Sequence, residues 1–375
     1  MSSSISLKHE QSLLERLANL NWVLFLLITA IACVGFTALY SAAGGSASPW
    51  AAKHMTRFAV AAFGMIIIAI IDIKWWYRFT WPLYFLGFFL LLVVEIMGHV
   101  GMGAQRWIDL GFIKLQPSEL MKIVVVMALA RYFHTATLDD MRRIPYLVIP
   151  LLIVLAPVGL VLLQPDLGTS LMIIMAGAAM FFMAGASIWL YIGGAVGVAA
   201  LIPVAWHFMR DYQKQRVLTF LDPERDPLGA GYHITQSKIA LGSGGVEGKG
   251  FLEGTQSRLN FLPEKQTDFI FTLWAEEFGL FGGGMLLILF GLVFMYGLWI
   301  SVRGRQNYMR YLALGLSVNF SLYVFINIAM VMGLIPVVGA PLPLISYGGT
   351  SMLAAMIGFG LMMSCSIHQH TKVSR

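Results

Sequence analysis

Asn21-Trp-Val-Leu-Phe-Leu-Leu-Ile-Thr-Ala-Ile-Ala-Cys-Val-Gly-Phe-Thr-Ala-Leu-Tyr-Ser41 runs without a single charged residue. At about 1.5 Å of rise per helical residue, this stretch alone crosses the roughly 30 Å hydrocarbon core of a bilayer. Nine further apolar stretches follow, at about 56–72, 79–98, 117–133, 145–163, 168–185, 188–209, 269–302, 309–333 and 344–368. The pattern predicts an all-α polytopic membrane protein with about ten transmembrane helices and one long connection, 210–268, between the seventh and eighth. Composition agrees. Of 375 residues 58% are hydrophobic and 12% charged, with a mean hydropathy of +0.76, where an ordinary soluble domain carries about 25% charged residues. A soluble globule, a disordered chain, collagen and a disulfide scaffold are all excluded. Cys33 and Cys365 lie in apolar stretches at opposite ends of the chain and read as packing residues.

The net charge of +6 is scattered through short connections rather than gathered into a stripe, so anionic lipid headgroups, not nucleic acid, are the expected counter-charge. Basic residues of short loops are retained on the cytoplasmic side. One side collects Lys8, Arg16, Lys74, Arg78, Arg131, Arg142, Arg143, Arg303, Arg305, Arg310, Lys372 and Arg375, against Lys53, Arg57, Arg106 and Lys114 on the other. Both termini are therefore expected inside, with residues 1–20 as an uncleaved cytoplasmic tail and 210–268 outside. The whole chain, 1–375, reads as one membrane domain without a clear inverted repeat of the transporter kind. A connection as long as 210–268 is where a water-exposed site can be assembled.

Within it, Gly242-Ser-Gly-Gly-Val-Glu-Gly-Lys-Gly250 looks like a phosphate cradle but fails on spacing. A P-loop needs Gly at Ser243 and Ser or Thr at Gly250, and a dinucleotide motif needs Gly at Glu247. A turn with left-handed backbone positions remains. Arg258-Leu-Asn-Phe-Leu-Pro-Glu-Lys-Gln-Thr-Asp268 then runs into the apolar Phe269-Ile-Phe271. Spacing leaves two roles open for Asp268: an N-cap of the following helix, or a general base at the mouth of a lipid-accessible cavity, with Arg258 and Lys265 to attract an anionic substrate. Gln116-Pro-Ser-Glu119-Leu-Met-Lys122 places Glu119 and Lys122 on one helical face inside a span, either as a self-paired ion pair or as a functional pair. Asp166, in Gln164-Pro-Asp-Leu-Gly-Thr-Ser170, sits in a tight outer turn, either as a functional carboxylate or equally as a cap of the sixth span. At least one of Glu276 and Glu277 is expected to face protein or water, and Arg106 with Trp107 reads as an interface anchor. No His or Cys spacing makes a zinc site and no Ser carries a nucleophile elbow.

Six ordered segments resemble the SEDS family (shape, elongation, division, sporulation) of peptidoglycan polymerases over nearly the whole chain. They are Gly103-Ala-Gln-Arg-Trp-Ile-Asp109, Gln116-Pro-Ser-Glu119 with Lys122, Gln164-Pro-Asp-Leu-Gly-Thr169, Gly242 to Gly250, Phe261-Leu-Pro-Glu-Lys-Gln-Thr-Asp-Phe-Ile-Phe271, and Pro343-Leu-Ile-Ser-Tyr-Gly-Gly349. Ile335-Pro-Val-Val-Gly-Ala-Pro-Leu-Pro343 resembles the elongation branch, the division branch usually carrying lysine near Val338. The resemblance implies a reaction that joins lipid II units with Asp268 as the catalytic base, deprotonating the GlcNAc 4-hydroxyl of an acceptor. That oxygen attacks the MurNAc anomeric carbon of a donor glycan and expels undecaprenyl pyrophosphate. It also implies that Glu119 and Lys122 line a central cavity, with Arg106, Arg258, Lys265, Asp166 and Ser346 as further substrate-side candidates. The departing charge would meet Lys122, Arg258, Lys265 or Arg106, or a divalent cation, Mg or Mn, held partly by the diphosphate. A class B penicillin-binding protein supplying transpeptidase activity, the elongation machinery, the nascent glycan and the lipids of the bacterial inner membrane are the implied partners. Two other readings fit a charged cavity among many spans: a lipid II flippase, which needs no base at Asp268, and a non-catalytic scaffold.

Overall fold

The computed structural model describes residues 13–371 apart from 98, 102–103, 110, 112–113, 210, 223–228, 260 and 263. Residues 1–12 of the expected tail, and Gly103, Arg210, Asn260, Pro263, Lys372 and Arg375, lie outside the described residues. Fourteen α-helices are described. They are α1 (Leu13–Ala18), α2 (Trp22–Ala42), α3 (Ala51–Ile70), α4 (Ile73–Met97), α5 (Pro117–Phe133), α6 (Ile144–Leu163), α7 (Leu167–Met183), α8 (Ile188–Phe208), α9 (Asp211–Leu221), α10 (Ala230–Gly244), α11 (Thr255–Arg258), α12 (Ile270–Arg303), α13 (Asn307–Val331) and α14 (Gly349–Ile367). Ten of them coincide with the ten apolar stretches. Seven, α2, α3, α4, α6, α12, α13 and α14, are long and apolar enough to cross a membrane, and α7 and α8 are shorter apolar helices. α5 carries Glu119, Lys122 and Arg131 and is buried along most of its length.

Helix α13 packs on α12, α5 and α7, while α14 packs on α3, so α5, α13 and α14 form the centre of the bundle. Lipid tails are as apolar as leucine, so the helices associate through close packing and polar contacts rather than through water exclusion. Gly297 is an example: a Cβ there would stand 2.0 Å from Ser317 Oγ, which lets α12 and α13 touch backbone to side chain. Helix α8 differs. Of its described side chains only Leu190 and Tyr191 are even partly covered, and Tyr191 reaches α7 through Ala178 O at 3.0 Å.

α4 begins at Ile73 rather than near 79, and three further departures from expectation each have a packing reason. α3 begins at Ala51 rather than near 56, because its polar first turns are satisfied by neighbours: the buried His54 ring nitrogen lies 3.0 Å from Leu344 O, and Arg57 stacks 4.6 Å over the Tyr347 ring. α14 begins at Gly349 rather than near 344, because Leu342 to Tyr347 is held as a turn with Leu344 in the left-handed region (φ 66°). The connection between α8 and α12 is folded rather than open. α10 lies along α12, with buried Ser237 Oγ 2.8 Å from Thr272 Oγ1 and donating to Val331 O at 2.7 Å. A small antiparallel sheet also forms between α4 and α5, β1 (His99–Gly101), β2 (Ala104–Asp109) and β3 (Lys114–Leu115), in the order β1-β2-β3.

Candidate active site

Side-chain contacts tie the α4–α5, α6–α7, α8–α12 and α13–α14 connections together. Arg106 Nε donates to Gln164 O (3.5 Å) and lies 3.8 Å from Asp166 Oδ2, and its Nη2 donates to Pro165 O at 2.5 Å. Gln116 Nε2 donates to Asp166 Oδ2 at 3.2 Å. Asp166 is itself the N-cap of α7, accepting from Thr169 N at 3.2 Å and from Thr169 Oγ1 at 2.8 Å, one of the two roles its spacing left open. Thr350 Oγ1 reaches Lys114 O at 2.7 Å.

Asp268 stands where α12 begins, in a turn built by Glu264. Glu264 sits in the left-handed region (φ 55°), and its carbonyl accepts from Thr267 N (3.0 Å) and Phe269 N (3.4 Å), while its carboxylate accepts from Thr267 Oγ1 at 2.7 Å. The turn is fastened from two sides. Ser346 Oγ donates to Thr267 O at 2.6 Å while accepting from Leu342 N at 2.7 Å, and Tyr347 N donates to Gln266 O at 2.8 Å. From the buried wall of α13, Asn327 Nδ2 donates both to Asp268 O (2.9 Å) and to Ala340 O (2.7 Å). Ser346 is thus a fastener of the Asp268 turn.

The cap role left open for Asp268 is not the one it plays. The N-cap position of α12 is Phe269, and no side chain caps the helix. Among the described residues the Asp268 carboxylate accepts no hydrogen bond; it is left facing the site. Burial, the largest effect, and the Glu264 carboxylate push its pKa up from 3.8 to about 6, and Arg216 pulls the other way. A base with a pKa near the working pH is what proton abstraction favours. Lys265, on the same turn, is half-buried, and burial pushes its ammonium below the ordinary lysine range. Arg258 ends the short α11 and is exposed.

The second ionic site lies inside the bundle. Lys122 Nζ is 2.8 Å from Glu119 Oε1, with side-chain exposures of 1% and 6%, and the Tyr323 hydroxyl of α13 bonds to both partners. Glu119 also borders a cavity of about 30 Å³, room for a water or two, together with Asn319, Tyr323, Pro341, Pro343 and Ser351. The cavity therefore reaches up to the segment that walls Asp268.

The glycine-rich segment is a brace. Lys249 N and Gly250 N donate to Glu276 O (3.1 Å) and Glu277 O (3.0 Å), while Leu280 N and Phe281 N donate to Gly245 O (3.0 Å) and Val246 O (3.2 Å). These bonds straddle Gly279, where α12 breaks (φ 62°, ψ −159°). Gly245, Gly248 and Gly250 adopt positive φ, and a Cβ on Gly248 would fall 2.2 Å from Glu277 O. Both Glu276 and Glu277 are buried in protein: Glu276 Oε1 accepts from Lys249 Nζ (2.8 Å) and Gln256 N (2.9 Å), and Glu277 Oε1 accepts from Ser41 Oγ.

Sequence reading missed Arg216, Asn327 and Tyr323. Asn327 and Tyr323 carry a legible signal, a polar group within an apolar span. Arg216 is signalled only by helical spacing in α9, where Gln213, Arg216 and Phe220 share a covered face.

A bundle of long apolar helices with a fastened carboxylate at the start of α12, accepting no hydrogen bond among the described residues, defines a polytopic membrane protein with a candidate acid–base site there. The chain belongs to the FtsW/RodA/SpoVE family, whose model, described as "Cell cycle protein", matches residues 16–372. It is 44% identical to peptidoglycan glycosyltransferase MrdB of Escherichia coli (strain K12) over 95% of each chain. Identity is 34% to the Helicobacter pylori MrdB, over 90% of this chain and 87% of that one, and 35% to the probable peptidoglycan glycosyltransferase FtsW of Trichlorobacter lovleyi, over 94% of each. Among solved structures it matches a chain of a peptidoglycan synthase complex described as coordinating polymerization and crosslinking (TM-score 0.81, 30% identity, 94% of this chain and 99% of that one). It also matches the rod shape determining protein RodA of Thermus thermophilus (TM-score 0.72, 25% identity, 94% and 98% coverage).

Proposed function

We propose that this protein is a peptidoglycan glycosyltransferase of the elongation branch, polymerising lipid II in the bacterial inner membrane with Asp268 as general base. The observation that carries the reading is the state of that carboxylate: raised to about 6, relieved of capping, and fixed through its backbone by Asn327 while its carboxylate oxygens accept no bond among the described residues. Family membership and the names of the relatives support the reaction class.

Asp268 accepts the proton of the GlcNAc 4-hydroxyl as that oxygen bonds to the MurNAc anomeric carbon. The bond from that carbon to the diphosphate oxygen breaks, and undecaprenyl pyrophosphate leaves with the electron pair. A diphosphate leaves readily, so one carboxylate suffices where glycosidases use two. Of the cations expected to meet the departing charge, Lys122 is engaged by Glu119 and Tyr323, and Arg106 by the 164–166 turn. Lys265 shares the turn of the base. Among the described residues no three His, Cys, Asp or Glu side chains gather as metal ligands. A divalent cation, Mg or Mn, is therefore proposed only as carried in on the substrate's diphosphate. The crosslinking partner is a class B penicillin-binding protein, supported by the peptidoglycan synthase complex among the structural relatives. Both termini are placed in the cytoplasm and the Asp268 face outside, supported by the distribution of Lys and Arg.

The test is lipid II polymerisation by wild type and Asp268→Asn, each with its transpeptidase partner, alongside thermal unfolding. Loss of glycan strands with folding and partner binding intact is expected. Strand synthesis by Asp268→Asn would move the base elsewhere, and an inactive wild type beside an active partner would favour lipid II flipping.

A further inference from the structure

Residues 332–343 wall one side of Asp268 and contain no charged side chain. Gly339, at φ 73°, comes so close that a Cβ on it would stand 3.4 Å from Asp268 Oδ2. Asn327 holds this wall from inside through Ala340 O. From outside it is held by Arg216 of α9, whose Nη1 donates to Val337 O at 3.1 Å. Arg216 therefore approaches the carboxylate across two residues of wall, from an element 52 positions away in sequence. We infer that Arg216 is a positioning residue for the base, latching the 332–343 wall against Asp268 and supplying the positive charge that faces its carboxylate. This rests on the reading of Asp268 as the base.

The electrostatic surroundings support the assignment. Glu264 and Lys265 lie on the turn of Asp268 itself. α13 presents the neutral Asn327, and α10 presents His233, whose ring stands 6.3 Å from that of Phe269. Glu264 and Arg216 act on the Asp268 charge in opposite senses. A buried carboxylate beside another carboxylate drifts toward its protonated form, which is useless for abstraction; an opposing guanidinium brings it back toward the working pH.

The test uses the full chain with its transpeptidase partner and two independent readouts. One is the pH midpoint for carbodiimide labelling of Asp268, read by mass spectrometry, which reports ionisation without turnover. The other is the acid limb of kcat/KM for lipid II polymerisation. Arg216→Gln is expected to move both upward by about one pH unit, and Glu264→Gln to move both downward. Arg216→Lys keeps the charge but alters the latch, so its labelling midpoint is expected at the wild-type position. An Arg216→Gln midpoint that does not move overturns the proposal, as does an Arg216→Lys midpoint that rises, because the latch alone would then explain the residue. A labelling midpoint that moves while the polymerisation limb stays put leaves the coupling standing and overturns Asp268 as the base, so the two failures are told apart.

Discussion

Asp268 ties proton chemistry to folding. Its carboxyl holds a proton more tightly in the folded protein, at about 6, than at the ordinary value of 3.8. The stabilisation it gives is complete below about pH 4 and is lost as pH rises through 6. With Asp268 as the proposed base, activity runs the other way, because only an ionised carboxylate can abstract a proton: kcat/KM is expected to climb with pH through a limb near 6. Asp268→Asn removes the ionisation, so at pH 8 it is expected to be more stable than wild type, by on the order of 1–2 kcal/mol after allowing for partial solvent access. Below pH 4 the two should melt alike. Thermal unfolding of both across that range is the check, and a variant less stable at every pH would assign Asp268 a structural duty. Asn327 acts one step back. Asn327→Leu keeps the branched heavy-atom skeleton but releases Asp268 O and Ala340 O together. It is expected to lower kcat at least tenfold with KM little changed, measured by lipid II polymerisation.

Single elements show what the sequence made legible. The ten long helices could be read because an apolar run of some 20 residues has few destinations other than a membrane. Asp166 could be read because capping is local, reaching three residues to Thr169. α9 and α10 could not, because their covered faces are half polar and their partners, α12 and the 332–343 wall, lie far along the chain. Asp268 was legible as a candidate with two roles open, but its freedom from capping was not, because the Glu264 turn moves the cap to Phe269. The glycine segment was read as a turn; its docking on α12 was out of reach, since close backbone approach leaves no mark beyond the glycines themselves. That docking is testable. Gly248→Ala must place a methyl group against Glu277 O in a left-handed conformation, so a loss of about 2 kcal/mol or more is expected by thermal unfolding. A tolerated alanine would mean the brace is loose in solution.

The whole bundle is organised around the ion pair at its centre, Glu119 and Lys122 of α5 with Tyr323 of α13. Breaking a buried pair strands a charge and costs about 3–5 kcal/mol, whereas replacing both partners by apolar groups can be nearly neutral. Glu119→Leu and Lys122→Met are each expected to lower the melting temperature sharply, and the double variant to recover most of the loss. If the single losses simply add, the pair is uncoupled. Whether the double variant polymerises lipid II then separates locking the bundle from serving the substrate.

Helix α8 gives the molecule a dependence on its surroundings. Almost every described side chain on it is uncovered, so acyl chains complete its packing, and its depth follows bilayer thickness. Arg216 stands only eight residues beyond Phe208, the last residue of α8. A thicker or thinner leaflet is therefore expected to act on α9 and, through the Arg216–Val337 bond, on the wall beside Asp268. Reconstituted into vesicles of graded acyl length, the enzyme is expected to polymerise fastest at one matched thickness. Lipid is then a tuner of catalysis as well as a solvent, and a flat rate across the series would rule that coupling out.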